Sequence, residues 1–145
     1  MVPVQSPPAG YHTVTPYLTT TDVAKLIDFL RAVFDATVVE RMTRPDGSVG
    51  HCEVRIGDSI VMMGEPPDPS KARPSNLYVY VPDVDATYRR ALAHGARSER
   101  EPADQFYGDR SGGFIDASGN TWWVATHKED VSPEELSRRA RQGHA

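Results

Sequence analysis

His51 and Glu53 lie two residues apart in a stretch of alternating polar and apolar residues, the pattern of a half-buried β-strand. Side chains at this spacing share one face of a strand. An imidazole beside a carboxylate could transfer a proton or ligate a shared metal ion, so both residues are candidates for catalysis. A polar strand edge that faces solvent explains the same spacing, and both interpretations stay open.

Residues 106–110 form a second group whose side chains could bind a ligand. They combine two aromatic residues, a glycine, a carboxylate and a guanidinium. Tyr107 could stack on a ring, and Asp109 is a further candidate for ligand binding. Arg110 suits an anionic or carbonyl group. We therefore predict a ligand-binding loop here. The alternative is a structural role, in which Asp109 contacts Arg110 or an ion pair forms between subunits.

The elements that must position these residues follow from the periodicity of the sequence. Apolar residues recur at intervals of three and four from Val23 to Phe34, which predicts a helix that ends near Asp35. Strands are predicted at residues 11–19, 37–43, 50–56 and 59–63. The first half of the chain therefore has the order β-α-β-β-β.

The same order returns in the second half of the chain. A helix begins at Asp83 and is stopped by Gly95, with strands predicted at residues 76–81, 97–101, 113–116 and 121–126 and a polar hairpin region at 104–113. The predicted organisation is an N-terminal arm (1–10), a first module (11–65), a proline-rich linker (66–75), a second module (76–128) and a C-terminal helix with a tail (129–145).

Composition and charge exclude several classes of function. Hydrophobic residues make up 39% of the 145 residues, and the formal net charge is −4. Nucleic acid is not expected as a partner, because phosphate binding needs a concentrated basic surface. The single cysteine, Cys52, excludes an intrachain disulfide. We expect a cytoplasmic location and no membrane association, because the sequence shows no signal pattern and no apolar run of membrane-spanning length.

Several segments resemble the vicinal oxygen chelate superfamily, which includes glyoxalase I, extradiol dioxygenases and bleomycin-resistance proteins. The resemblance covers roughly residues 11–128 and is most specific at 22–34, 51–63, 80–95 and 116–127. It implies an α+β fold of two βαβββ modules, whose sheets curl around a cavity. Members usually pair modules within or between chains, so the resemblance also implies a homodimer.

The resemblance further implies where a metal would bind. In metal-using members the ligands are His or Glu at four strand positions, which fall here at about Thr15, Met62, Asn76 and Trp123. A hydroxyl, a thioether, an amide and an indole are poor ligands for Zn, Ni or Fe. We therefore expect neither the metal nor any other cofactor.

By the same resemblance, strand alternation directs one set of side chains into the cavity, and most of the set is aromatic or lightly polar. The set comprises Thr13, Thr15, Tyr17, Ile60, Met62, Asn76, Tyr78, Tyr80, Trp123, Ala125 and His127. Such a lining suits a flat or apolar organic molecule. The predicted function is metal-independent binding of a small hydrophobic or aromatic molecule, for resistance or sequestration. The alternative is a lyase, isomerase or dioxygenase that uses His51 and Glu53 as an acid/base pair or in a non-standard metal site.

Overall fold

A computed structural model describes residues 3–143, and each half of the chain forms a four-stranded sheet with one helix packed on it. The first half contains β1 (Tyr17–Thr19), α1 (Val23–Phe34), β2 (Thr37–Thr43), β3 (Val49–Ile56) and β4 (Ser59–Gly64). The second contains β5 (Asn76–Tyr80), α2 (Val84–Ala93), β6 (Arg97–Asp104), β7 (Asp109–Ile115) and β8 (Thr121–His127), followed by α3 (Pro133–Arg141). Residues 1–2 of the predicted arm and 144–145 of the predicted tail lie outside the described residues.

The chain divides into two compact units between Ser75 and Asn76. In the first unit the strand order is β1-β4-β3-β2, with β1 parallel to β4 and the other pairs antiparallel. The apolar stripe of α1, which includes Leu26 and Leu30, is buried, and the helix packs against the sheet at β3. Cys52 is buried in the same core, and this burial raises the pKa of its thiol.

The second unit repeats this topology, with the strand order β5-β8-β7-β6 and β5 parallel to β8. Helix α2 packs against β6, β7 and β8. The core of the second unit contains Phe114, Trp122 and Val124, which are fully buried. Because side chains alternate across a strand, the residues between them point to the opposite face of the sheet. The predicted α+β fold of two βαβββ modules is confirmed.

Strands β1 and β7 differ most from their predicted bounds. Strand β1 begins at Tyr17 rather than at Tyr11, since Pro16 has no amide hydrogen to donate and only its carbonyl oxygen pairs, accepting from the Met62 amide at 2.9 Å. Strand β7 begins at Asp109, inside the region predicted as a polar hairpin, because residues from Asp109 onward pair with β8. The longer β7 carries Asp109 and Ser111 on the sheet itself.

The remaining segments are short. A turn of 3-10 helix at Pro69–Lys71 lies within the predicted linker. Helix α3 begins after Ser132, whose hydroxyl oxygen accepts a hydrogen bond from the Glu135 amide. None of the helices within residues 3–143 is long and apolar enough to cross a membrane.

Candidate functional site

The open face of the second sheet, which lies opposite α2, carries a row of side chains that crosses all four strands. Strand register places Tyr78 beside Trp123, Trp123 beside Gly113, and Gly113 beside Arg100. The Trp123 indole nitrogen donates to Oδ1 of Asn76 at 3.1 Å. The guanidinium carbon of Arg100 lies 4.9 Å from the centre of the Trp123 ring, at cation–π distance.

Gly113 makes this arrangement possible. A Cβ at that position would lie 2.5 Å from Cε3 of Trp123, far inside van der Waals contact. Only a residue without a side chain lets the indole lie this close to β7. The neighbouring Trp122 is fully buried under α2, so the two tryptophans occupy opposite faces of the sheet.

Asp109 organises the other end of this face. Its Oδ2 accepts hydrogen bonds from the hydroxyls of Tyr78 at 2.7 Å and Tyr80 at 3.0 Å. Its Oδ1 lies 2.8 Å from Nδ1 of His127. The carboxylate is buried, whereas Tyr78 and Tyr80 remain 44% and 62% exposed. Asp109 therefore satisfies the polar atoms of the tyrosines, and their ring faces stay accessible.

The protonation states of this cluster follow from its contacts. Burial opposes ionisation of Asp109, but the hydrogen bonds from His127, Tyr78 and Tyr80 outweigh it and lower the pKa of the carboxyl. The pKa of His127 is raised, because its ring nitrogens contact Asp109 and Asp130. Burial and the hydrogen bond to Asp109 raise the pKa of Tyr78. The favoured state is a neutral tyrosine pair beside an Asp109–His127 ion pair.

Because of this ion pair, we expect the stability of the protein to change with pH as His127 loses its proton. A raised folded-state pKa means that the stabilisation is complete below the unfolded value of about 6.5 and is lost as pH rises through the higher folded value. We expect the difference in Tm between the wild type and His127→Gln to shrink over that interval. Thermal unfolding monitored by circular dichroism at a series of pH values measures the difference.

His94→Gln is the matched control for this experiment. His94 is exposed at the C-terminal end of α2 and belongs to none of the ion pairs within residues 3–143. The Tm of this variant over the same interval gives the effect of removing an exposed imidazole that lies outside the Asp109 cluster. A His127→Gln difference that grows with pH would contradict the proposed charge state.

Tyr107 and Ser111 lie between the aromatic row and the Asp109 cluster. The Tyr107 hydroxyl is 3.4 Å from Oγ of Ser111, and Nη2 of Arg100 donates to the same oxygen at 2.6 Å. The ring of Phe106 meets that of Tyr107 edge to face, with centroids 5.3 Å apart. The structure thus brings Tyr107, predicted to bind ligand, to the same face as Tyr78 and Trp123.

Arg110 lies elsewhere, in a position that differs from its predicted role. Its Nε and Nη2 donate to the two carboxylate oxygens of Asp85 at 2.9 and 3.0 Å, and Nη1 reaches Asp104 at 3.3 Å. These contacts raise the pKa of the guanidinium. Because Arg110 alternates with Asp109 along β7, it points toward the helix side of the sheet. Arg110 therefore makes a structural contact with a carboxylate, which was the alternative to ligand binding, but the carboxylate is that of Asp85 and not of Asp109.

The first unit carries a different group on the corresponding face. Glu53 pairs with Met62, which pairs with Tyr17, so the three residues lie side by side on adjacent strands. Nε2 of His51 lies 2.8 Å from Oε2 of Glu53, and the Tyr11 hydroxyl donates to Oε1. Glu53 occupies the register position that Gly113 holds in the second unit.

Glu53 is 6% exposed, which does not fit a solvent-facing polar edge. Burial works against its ionisation, but the hydrogen bonds from Tyr11 and His51 prevail, and the pKa of the carboxyl is lowered. The Tyr17 hydroxyl lies 3.4 Å from Nδ1 of His51 and extends the cluster toward solvent. His51 and Glu53 are therefore in hydrogen-bond contact, as an acid/base pair requires.

Comparison with known proteins agrees with these two modules. The sequence profile of the Glyoxalase/Bleomycin resistance protein/Dioxygenase superfamily matches residues 11–124. The chain belongs to this superfamily. An uncharacterized protein of Mycobacterium tuberculosis is 31% identical over 134 residues, which cover 85% of this chain and 79% of that protein.

Solved structures show the same fold. TioX from Micromonospora sp. ML1 is 25% identical, with a TM-score of 0.68 over 80% of this chain and 98% of TioX. TnmS3 from Streptomyces sp. CB03234, described as an antibiotic binding protein, is 19% identical, with a TM-score of 0.64 over 81% of this chain and 96% of TnmS3. The βαβββ duplication is thus shared with proteins of this superfamily.

The superfamily positions predicted for a metal do not fit one in this chain. The Thr15 hydroxyl donates to the His12 carbonyl oxygen at 3.3 Å, and Oδ1 of Asn76 accepts from Trp123. The Trp123 indole has no lone pair in its plane to offer, and Met62 supplies only a thioether. Within residues 3–143, no group of three or more His, Cys, Asp or Glu is arranged to hold a metal ion.

The structure therefore assembles most of the predicted site residues into two clusters, one in each unit. Tyr78, Tyr107, Asp109, Asn76 and Trp123 share one face of the second sheet; Tyr17, Met62, His51 and Glu53 share one face of the first. Thr15 precedes β1. Tyr11 and Arg100 were not predicted as site residues. The sequence signal for Arg100 is weak, since it lies between other charged residues in an exposed strand.

Proposed function

We propose that this protein binds a small hydrophobic or aromatic organic molecule without a metal, for resistance or sequestration. The observation that carries the proposal is the open aromatic face of Tyr78, Tyr80 and Trp123. Their polar atoms are already engaged by Asp109 and Asn76, so a ligand meets ring surfaces and does not have to satisfy buried donors. Exposed aromatic surface held in a fixed geometry suits stacking on a flat molecule.

The descriptions of similar proteins support the proposal that the chain binds a small organic molecule. TnmS3 is described as an antibiotic binding protein, and the superfamily name includes bleomycin resistance proteins. Both descriptions concern small organic molecules. Acid/base catalysis needs a titratable pair at the site, whereas binding to the aromatic face does not.

A direct test uses phenylnaphthylamine, a neutral aromatic dye whose fluorescence rises in apolar sites. We expect the wild type to bind it and Trp123→Ala to bind it about tenfold more weakly, because the largest of the three rings is lost. Leu92→Ala is the control, since Leu92 is an exposed apolar residue on α2, away from the open face. Equal affinities for the wild type and Trp123→Ala would exclude the aromatic face as the site.

Metal independence has its own test. We expect the freshly purified protein to contain far less than one Ni, Zn, Fe or Mn per chain by elemental mass spectrometry. Treatment with a chelator should leave the affinity for phenylnaphthylamine unchanged. A stoichiometric metal that the chelator removes together with dye binding would refute this part of the proposal.

We also propose that the protein acts as a cytoplasmic homodimer. Strand β2 is an edge strand whose residues are exposed throughout, including Val38, Val39 and Met42. An exposed edge with large apolar side chains is typical of surfaces that pair with another chain. Native mass spectrometry, which reports assembly mass and any retained ligand together, is expected to show a dimer.

Catalysis at His51 and Glu53 is the second candidate function, as a lyase, isomerase or dioxygenase. A buried carboxylate that holds an imidazole at 2.8 Å favours it. A divalent metal retained by the wild type and lost from Glu53→Gln would move the assignment from binding to this class.

A further inference from the structure

We propose that Arg100 binds an anionic group of the ligand, so that the aromatic face selects aromatic molecules with a carboxylate, sulfonate or acidic phenol. This inference rests on the proposed function, because it names the class of molecule that the same face accepts. The polar end of the ligand would then contact Arg100, a residue that the sequence does not distinguish from the charged residues around it.

The backbone of β6 aims Arg100 at the aromatic row. The register between β6 and β7 shifts on both sides of this residue, between Ser98 and Arg100 and again between Arg100 and Ala103. Such irregularities bend a strand and redirect a side chain. The packing is close here, since a Cβ on Gly112 would lie 3.0 Å from the Arg100 carbonyl oxygen.

Two contacts fix the guanidinium on the open face. Nη2 donates to Oγ of Ser111 at 2.6 Å, and the guanidinium carbon lies 4.9 Å from the centre of the Trp123 ring. Nε and Nη1 make no hydrogen bond within the part of the chain that the structure describes. A planar guanidinium with free donors matches the two oxygens of a carboxylate or sulfonate.

The charge of Arg100 is not balanced by the protein around it. None of the ion pairs within residues 3–143 includes Arg100, whereas Arg110 is bound by two carboxylates. Other arginines also lack an ion pair, but Arg100 lies in contact with the aromatic row. Asp109, an acidic group on this face, is buried and paired with His127.

The charges around the aromatic row give the ligand a direction. The carboxylates of Asp109 and Asp130 both contact His127 at the C-terminal end of β8, whereas the Arg100 guanidinium lies over the Trp123 ring. An anionic group on a ring stacked against Trp123 is therefore expected beside Arg100. Like-charge repulsion from those carboxylates opposes the reverse orientation.

The test compares two dyes that differ by one anionic group. Anilinonaphthalene sulfonate has the ring system of phenylnaphthylamine with an added sulfonate, and fluorescence titration gives the affinity of each. We expect Arg100→Met to weaken binding of the sulfonate dye about tenfold, the loss expected for a hydrogen bond to a charged group, and to change binding of the neutral dye less than about twofold. Methionine keeps an apolar chain against Trp123, which preserves the ring surface.

Arg89→Met is the matched control, because Arg89 is exposed on α2 in the same unit and the substitution removes the same charge. It is expected to leave both affinities unchanged, and near-ultraviolet circular dichroism checks that both variants fold like the wild type. Equal losses for the two dyes in Arg100→Met, or no loss for either, would overturn the role of Arg100.

The same titrations separate this inference from the proposed function. A wild type that binds the neutral dye but not the sulfonate dye contradicts the inference and leaves the proposed function standing. A wild type that binds neither dye contradicts the proposed function itself. Weaker binding of the sulfonate dye at high salt, with the neutral dye unaffected, is expected if an ion pair forms.

Discussion

Replacing Asp109 with asparagine is expected to lower the free energy of unfolding by about 2–3 kcal/mol, because three donors lose a charged acceptor in a buried place. The donors are the hydroxyls of Tyr78 and Tyr80 and Nδ1 of His127. An amide cannot accept all three, and its own hydrogens face some of them. For a chain of this length the loss corresponds to a fall in Tm of roughly 5–10 °C, measurable by calorimetry.

Asp104→Asn is the control for this prediction. Its carboxylate is 78% exposed and reaches Arg110 at 3.3 Å, and exposed pairs contribute about 0–1 kcal/mol. The two variants remove the same charge from the same sheet. If both lower Tm by the same small amount, Asp109 does not organise the face as the structure indicates.

Asp109→Asn is also expected to weaken binding of phenylnaphthylamine. The carboxylate holds Tyr78 and Tyr80 with their rings exposed, and a ring that is free to rotate loses more entropy when a ligand orders it. Because the substitution leaves Trp123 in place, the loss of affinity should be smaller than that of Trp123→Ala. The comparison separates the contribution of ring position from that of ring surface.

The architecture was predictable because it depends on local periodicity. The apolar stripe of α1 follows from residues within one helix, and the shared strand face of His51 and Glu53 follows from their spacing of two. Their contact at 2.8 Å agrees with that pattern. Local rules therefore predicted both the modules and the contact between one pair of candidate residues.

The contacts that give each cluster its chemistry were not predictable, because they join residues far apart in the sequence. Tyr11 reaches Glu53 across 42 positions from a segment without regular structure, and Tyr78 reaches Asp109 across 31 positions. Asp109 itself lies in a region whose polar and glycine residues favour a loop. Pairing with β8 overrides that local preference and converts it into a strand.

The position of Arg100 depends on strand irregularity, for which the sequence carries little signal. Strict alternation assigns each residue of β6 to a face, but the two register shifts around Arg100 interrupt the alternation. Arg110 shows the converse case. A guanidinium next to Tyr107 and Asp109 looked like a ligand group in the sequence, yet alternation along a regular β7 directs it to Asp85 on α2.

Gly113→Ala is expected to lower the free energy of unfolding by about 2 kcal/mol, the cost of adding atoms to a tightly packed contact. The new Cβ would lie 2.5 Å from Cε3 of Trp123, so the indole has to move. Movement breaks its hydrogen bond to Asn76 and its contact with Arg100. We expect a lower Tm together with weaker binding of both dyes.

Gly50→Ala is the matched control, because it adds the same methyl group to a strand glycine in the first sheet. There the nearest atom is Nε of Arg44 at 3.1 Å, on a flexible side chain that can give way. We expect a smaller change in Tm and no change in affinity for either dye.

The sign of the Gly113 effect is expected to reverse when Trp123 is absent. Alanine is intrinsically more stable than glycine in a strand by roughly 0.5–1 kcal/mol, because glycine loses more backbone entropy on folding. In a Trp123→Ala background that advantage remains and the clash is gone, so Gly113→Ala should stabilise the protein. A double-mutant cycle of thermal unfolding measures this coupling. If Gly113→Ala destabilises both backgrounds equally, then Gly113 is needed for the backbone of β7 and not for the position of the Trp123 ring.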